Sequence, residues 1–163
     1  MAYVINTHEL GFQDIATTST TQKHAFGTSV MAYDLTYGEG SFIYLKGVAS
    51  TAVGDVVSYN AYTGATTRWA GTAITGWPLA IAMSANVASQ YGWYQVRGNA
   101  VTNISGTVTA ADSAYFNATA QLKSAAVAGK QVVNCVAATA NGVPSAGLAV
   151  YTIAWPFAQG AIT

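Results

Sequence analysis

The sequence predicts an all-β protein: a single compact β-barrel or β-sandwich domain with an extended N-terminal arm. Short runs of apolar and β-branched residues recur at roughly ten-residue spacing, and glycine or Asn-Gly separates them. No stretch keeps the i, i+3, i+4 apolar spacing of an amphipathic helix. A chain of 163 residues is long enough for one domain with a substantial core, whereas two domains would be cramped.

The first part of the chain differs in composition from the rest, and we predict an arm over residues 1–36 and a β domain over residues 37–163. The run 16–23 is rich in threonine and serine and has no alternating apolar face. Its β-branched residues favour extended backbone. We expect this arm to lie on a surface that supplies its order, and a plain disordered tail is the alternative. Residues 30–33 are expected to form a first short strand.

The stretch from Trp77 to Gly98 predicts a central hairpin. Large apolar residues alternate with alanine up to Met83, which indicates a strand with two different faces. Residues 84–90 are polar enough to turn, and 91–97 return as an aromatic strand. Large aromatic residues often anchor cores and interfaces. Four are expected to be core or subunit-interface anchors here: Trp77, Tyr91, Trp93 and Tyr94.

Further short strands are predicted on both sides of this hairpin. They cover residues 41–48, 56–59, 66–69, 100–104, 113–116, 131–136 and 148–155. Residues 110–128 are alanine-rich, but Thr, Ser and Asn interrupt them, so strands and turns are favoured over a helix. In the last strand, Tyr151, Ile153 and Trp155 should share one face, and residues 156–163 should form a short tail.

Composition and charge exclude several classes of protein. Charged residues are only 7% of the chain and the net charge is zero, so six Lys and Arg cannot form a basic footprint for nucleic acid. No run approaches the roughly 20 apolar residues of a membrane span. No signal peptide is visible, so we expect synthesis in the cytoplasm. One cysteine, Cys135, excludes an internal disulfide. So few charges favour burial against copies of the chain or against a partner.

The sequence contains no motif that predicts a metal or cofactor site. His8 and Glu9 begin an HExxH motif, but Phe12 occupies the place of the second histidine. His8 and His24 could share a metal with Asp14, yet plain surface histidines are favoured. Gly38-Glu39-Gly40 lacks the third glycine and the helix of a dinucleotide site.

Catalytic patterns are equally weak. Ser145 lacks the glycine spacing of a nucleophile elbow, and Cys135 is expected to be a buried, inert thiol. The sequence gives no reason to pair any two carboxylates as in a glycosidase. Six are scattered along the chain: Glu9, Asp14, Asp34, Glu39, Asp55 and Asp112. The tryptophans, Trp69, Trp77, Trp93 and Trp155, could stack on a sugar or base, although spacing in phase with other large residues favours packing.

Two stretches of the chain are similar to those of one protein family. The first holds Thr21-Gln22-Lys23-His24, Gly27-Thr28, Tyr33-Asp34 and the run from Tyr37 to Ala49. The second holds Pro78-Leu79-Ala80-Ile81-Ala82-Met83, Tyr91-Gly92-Trp93-Tyr94-Gln95 and Gly98. In these stretches the chain resembles the small capsid decoration (cement) proteins of tailed bacteriophages. The likeness covers most of the chain from residue 7 onward and is weakest over residues 100–163.

The resemblance implies a non-enzymatic virion protein without a cofactor, located on the outer surface of the capsid. It implies a homotrimer that bridges neighbouring major capsid subunits and reinforces the expanded head. Deleting residues 1–30 should then abolish capsid binding and leave the domain folded. The expected capsid-contacting arm comprises Ala16, Thr17, Thr18, Ser19, Thr20, Thr21, Gln22, Lys23, His24 and Phe26.

Three other classes of function stay open. A carbohydrate- or host-surface-binding β module would use exposed aromatic side chains. A glycoside hydrolase or other enzyme would need a carboxylate pair that forms only in space. Another self-assembling head or tail subunit would assemble without a partner, although the small size and the lack of a long helix argue against a coat subunit.

Overall fold

The computed structural model describes residues 3–5, 11–68, 77–117 and 119–160. Within these ranges it confirms the all-β class, with one twelve-stranded sheet in which all the strand pairs are antiparallel. No helix in these ranges is long and apolar enough to cross a membrane. The strands are β1 (Val4–Ile5), β2 (Thr18–Ser19), β3 (Ser29–Asp34), β4 (Gly38–Lys46), β5 (Val56–Tyr59), β6 (Thr66–Arg68), β7 (Leu79–Ala82), β8 (Tyr91–Asn103), β9 (Ser113–Phe116), β10 (Leu122–Lys123), β11 (Gln131–Ala137) and β12 (Leu148–Ala158).

The long strand β8 is shared by both halves of the sheet. Its first part pairs with β4, and its last part, from Arg97 to Asn103, pairs with β12. The change of partner coincides with a register shift opposite Ser41 and Phe42 and with Gly98, which has a φ of +101°. A Cβ at Gly98 would clash with the carbonyl of Glu39, so only glycine fits this close approach.

The first half of the sheet consists of β4, β8, β7, β5 and β6 and curls around its own core. The backbone N–H of Lys46 donates to the Gly64 carbonyl at 2.9 Å, and the Thr66 hydroxyl donates to the Lys46 carbonyl at 2.7 Å. These bonds bring β6 back to the end of β4. The enclosed core contains Ile43, Leu45, Val57, Tyr59, Ala80, Ala82, Tyr94 and Val96.

The second half consists of the end of β8 with β12, β11, β9 and β10, and it encloses the largest core cluster. An isolated bridge between Ile104 and Leu122 returns β10 to the end of β8. Among the fully buried side chains of this core are Phe116, Leu122, Tyr151 and Ile153. Burying each large apolar side chain contributes about 1.5–3 kcal/mol before the entropy of ordering is subtracted.

A third apolar cluster lies on the opposite face of β4 and β8. Phe42, Tyr44 and Trp93 point to this face, because they alternate along their strands with residues of the first core. Ile15 and Val30 complete its buried lining. This cluster therefore lies beneath the N-terminal part of the chain.

The central hairpin is confirmed. Strands β7 and β8 pair at Ile81 with Gln95 and at Ala82 with Tyr94. The large residues of β7, Leu79 and Ile81, enter the largest core, while its alanines enter the first core. The alternation of large and small residues thus reflects a strand buried on both faces, between two cores of different size.

The prediction that Trp155 shares one face with Tyr151 and Ile153 is wrong. Those two are buried, but Trp155 is 51% exposed and has a φ of +53°. Between Ile153 and Phe157 the chain advances four residues while its partner β11 advances only two. This bulge turns Trp155 outward. The strand also continues to Ala158, so residues 156–158 belong to the sheet and not to a tail.

Candidate interaction surface

The N-terminal segment, defined here as residues 11–27, lies on the body of its own domain. Ile15 is 2% exposed and packs in the third cluster. Strand β2 pairs with the start of β8, with Ser19 opposite Tyr91. Part of the predicted arm, residues 29–34, forms β3 and pairs with β4 along its whole length, which confirms the strand expected at residues 30–33. The surface that orders this segment is therefore the protein's own sheet.

Gln13 joins the N-terminal segment to β8 and β4. It is 6% exposed, and its side-chain amide donates to the Tyr91 carbonyl at 3.1 Å and the Thr17 carbonyl at 2.8 Å. The Gln13 side-chain oxygen accepts from the Tyr44 hydroxyl at 3.3 Å. Its backbone carbonyl accepts from the Trp93 indole N–H at 2.8 Å. Sequence reasoning missed this residue, because nothing in its local pattern marks a buried glutamine.

His24 is the second link, and its environment corrects the expectation of a plain surface histidine. Its ring stacks on Phe12, with centroids 4.9 Å apart and planes 16° apart, and lies 5.4 Å from the ring of Trp93. Tyr44 meets its ring edge-on at 4.9 Å. Burial, followed by the positive charge of Lys23, lowers the pKa of His24 below 6.5.

Phe26 anchors the end of the segment. Its ring stacks on that of Tyr91 at a centroid distance of 6.0 Å. The Phe26 ring also lies against Gly64, where an added Cβ would overlap it. A Cβ added at Gly27 would lie 2.8 Å from the carbonyl oxygen of Ala61, so these two residues are also close together. The turn between β5 and β6 therefore adjoins the end of the N-terminal segment.

The ten residues predicted to contact a capsid thus lie on one segment that is tied to the domain. Its anchors point inward, and most of its remaining side chains face solvent. Exposed are Ala16, Thr17, Thr20, Thr21, Gln22 and Lys23, and partly buried are Thr18, Ser19, His24 and Phe26.

The four aromatic residues predicted as core or interface anchors occupy different places. Trp93 and Tyr94 are fully buried, in the third cluster and the first core respectively. Tyr91 is partly buried against the third cluster. Trp77 is 44% exposed and does not belong to a core cluster. Trp69 lies outside the described residues.

Two apolar side chains at turns are almost fully exposed, and sequence reasoning missed both. Leu35, between β3 and β4, is 98% exposed, and Tyr62, between β5 and β6, is 93% exposed. Each turn is held by a side chain at its start: the carboxylate of Asp34 and the amide oxygen of Asn60 each accept two backbone N–H groups. In the sequence, an apolar residue one or two positions after such an Asp or Asn could have predicted an exposed side chain at a turn.

Four carboxylates of the described residues have structural partners: that of Asp34, given above, and those of Glu39, Asp55 and Asp112. Asp55 accepts from the Arg68 guanidinium at 2.7 Å, and Glu39 lies 3.3 Å from that of Arg97. Asp112 accepts from the backbone N–H of Thr109 at 2.7 Å. The described ranges contain no group of three or more His, Cys, Asp or Glu that could hold a metal ion. His8 and Glu9 lie outside those ranges.

Cys135 is buried, as predicted, and burial raises the pKa of its thiol. A shallow recess of about 290 Å³ lies elsewhere on the surface, beside β9 and β11. Its polar side chains are those of Tyr115, Gln131 and Gln159, and residues 126–129 and Gly160 complete the lining. The recess offers a phenol and two amides for hydrogen bonding.

Comparison of the chain with protein-family models, with curated proteins and with solved structures finds no match. Its function is therefore inferred from the surface and the packing described above.

Proposed function

We propose that this chain is a non-enzymatic virion protein that binds the outer surface of a tailed-phage capsid. In this proposal it binds as a homotrimer, bridges major capsid subunits and stabilises the expanded head. The observation that carries the proposal is an exposed surface rich in apolar side chains on a chain with only 7% charged residues. Surfaces of this kind are typical of proteins that function buried against other subunits.

The few charges are partly cancelled within the chain. Asp55 pairs with Arg68, and Glu39 pairs with Arg97. Large apolar side chains remain exposed among the described residues: Val4, Met31, Tyr33, Leu35, Val53, Tyr62, Trp77, Val136, Val143, Trp155 and Phe157. An isolated monomer gains solubility from charge, whereas a capsid-bound subunit covers such residues.

We assign the capsid-binding surface to the exposed side of the N-terminal segment together with Tyr62. The turn that carries Tyr62 adjoins this segment through the contacts of Gly64 with Phe26 and of Ala61 with Gly27. The segment is already ordered on its own sheet, so binding costs less conformational entropy than for a free arm. Many copies, each bound only to the assembled shell, would stabilise it collectively.

The test is co-sedimentation of the purified chain with expanded and unexpanded phage shells, measured as copies per particle. We expect saturable binding to expanded shells alone, in multiples of three at each local threefold position. Absence of binding to both shells would overturn the proposal. Assembly of the chain into shells or tubes without a partner would point instead to a self-assembling head or tail subunit.

Point substitutions locate the surface better than a deletion of residues 1–30, which would remove Ile15 and Val30 from the third cluster. Tyr62→Ser should weaken binding strongly. Leu35→Ser is the matched control, because Leu35 is equally exposed but lies at the opposite end of β4, about 30 Å away for nine residues of strand. Loss of binding in the control alone would place the capsid-facing surface at that opposite end.

A second candidate function, a carbohydrate- or host-surface-binding module, is favoured by one observation. Trp77, Trp155 and Phe157 are 44%, 51% and 37% exposed, on two neighbouring segments joined by a hydrogen bond from Ala158 N–H to the Trp77 carbonyl. Aromatic rings with one free face are suited to stacking on sugars. Binding on a glycan array, with tryptophan quenching that Trp155→Ala removes, would support this function. Binding to shells without any glycan binding would reject it.

A further inference from the structure

The hydrogen bond between Gln13 and His24 depends on the protonation of His24. The backbone N–H of Gln13 donates to Nε2 of the imidazole at 3.2 Å. An imidazole nitrogen accepts a hydrogen bond only when it carries no proton, so this bond requires the neutral ring. The same glutamine accepts the indole N–H of Trp93 and the hydroxyl of Tyr44. A change at Nε2 therefore acts on the residue that holds the segment to β4 and β8.

Protonation would place a new N–H at Nε2 of His24. This N–H would point at the backbone N–H of Gln13, from which Nε2 accepts a hydrogen bond in the neutral state. Two donors would face each other, and the imidazolium would be held in a partly buried site beside the positive charge of Lys23. The rings of Phe12 and Trp93 offer some attraction to a cation. Protonation of His24 is opposed by the loss of the hydrogen bond, by the burial of the ring and by the positive charge of Lys23.

We propose that His24 is an acid-sensitive latch: its protonation breaks the bond to Gln13 and releases the N-terminal segment from Trp93 and Tyr44. This device is a property of the fold and holds whether or not the chain binds a capsid. It makes the segment ordered in neutral solution and mobile in mild acid.

The groups that face His24 set the direction of the switch. Tyr44 on β4 is titratable, but its pKa is raised by burial and it stays neutral in this range. Trp93 on β8 and Phe12 are not titratable. Lys23 is the charged group that acts on the ring, and together with burial it lowers the pKa of His24. The latched state is therefore fully stable above about pH 6.5, the pKa of a free histidine, and loses stability as the pH falls from there to the lower folded pKa.

The test uses the full chain and hydrogen exchange of the Trp93 indole N–H, followed by NMR from about pH 7.5 to pH 4.5 together with the imidazole signals. After correction for the intrinsic exchange rate, protection should fall about tenfold for each pH unit between the free and folded pKa values of His24. His24→Gln should remove this pH response. His8→Gln, which removes the other of the two histidines, should keep it.

A charge variant tests the same latch without changing the histidine. Lys23→Gln removes the repulsive charge, so the midpoint of the pH response should move to higher pH, whereas Lys130→Gln in the other half of the sheet should leave it unchanged. A flat response in the unmodified chain would overturn the proposal. The same pH response in His24→Gln would also overturn the proposal, and a His24 pKa at or above that of a free histidine would do so too.

Discussion

The indole N–H of Trp93 donates a 2.8 Å hydrogen bond to the backbone carbonyl of Gln13, and the two residues are 80 positions apart in the chain. Trp93 is fully buried in the middle of the sheet. One side chain therefore couples the central hairpin to the N-terminal segment that we propose as part of the capsid-binding surface.

Trp93→Phe should destabilise the fold by about 2–4 kcal/mol, because it leaves the Gln13 carbonyl without its donor and opens a cavity beside it. Chemical denaturation at neutral pH measures this loss. Trp77→Phe is the matched control, since Trp77 is 44% exposed, and it should change the free energy of unfolding by less than about 0.5 kcal/mol. Equal effects of the two substitutions would contradict the role given to Trp93.

The two ion pairs should differ in their contribution to stability. Asp55 is 2% exposed, and besides Arg68 it accepts from the Asn103 amide at 3.0 Å and from the Ala52 N–H at 3.0 Å. Asp55→Asn should cost about 1–3 kcal/mol, because it leaves buried donors poorly paired.

The exposed pair supplies the control. Glu39 and Arg97 have side chains about half exposed, so Glu39→Gln should cost at most about 1 kcal/mol. Denaturation curves of both variants in low and high salt measure the difference. A larger loss for Glu39→Gln than for Asp55→Asn would show that burial does not govern these pairs.

Gly64→Ala should detach the end of the N-terminal segment. The new methyl group would overlap the ring of Phe26, in addition to the strain of a φ of +69°. Gly142→Ala shares the positive φ but meets nothing within 4 Å, so it should cost only the backbone strain of about 1–2 kcal/mol. Under native conditions, tryptic cleavage after Lys23 should be faster in Gly64→Ala than in the unmodified chain, whereas Gly142→Ala should leave the cleavage rate unchanged. Identical cleavage in the two variants would contradict the anchoring role of Phe26.

Stability should decline in strong alkali because Tyr94 is buried. Burial raises its pKa from 10.0 to about 12, so between these values the unfolded chain loses a proton that the folded chain keeps. The free energy of unfolding should fall there by at most about 1.4 kcal/mol per pH unit from this group. Tyr94→Phe should reduce that slope, whereas Tyr62→Phe, at a side chain 93% exposed, should not. The same slope in both variants would refute the assignment.

The proposed capsid binding should depend little on salt. The exposed side of the N-terminal segment carries one cation, Lys23, and one anion, Asp14, and the chain has no net charge. Binding through uncharged and apolar contacts is only weakly screened. Co-sedimentation at low and high ionic strength should give nearly the same affinity. A steep loss of binding in high salt would show that charges hold the complex.

Local patterns in the sequence determined most of the strands and the central hairpin. The alternation of large residues with alanine in β7 follows from neighbours two residues apart, and the absence of a helical period from residues three and four apart. Such signals act over short distances, so they are visible without the fold.

The tertiary structure alone decided the features that depend on distant partners. Gln13 is buried because Trp93 and Tyr44 reach it from two strands, and Trp155 turns outward because β11 and β12 pair with a bulge. His24 became a candidate switch only when Phe12, Tyr44 and Trp93 met around it. Contacts between residues far apart in the chain, and the register between strands, have no local period, which is the physical reason why the sequence alone did not reveal them.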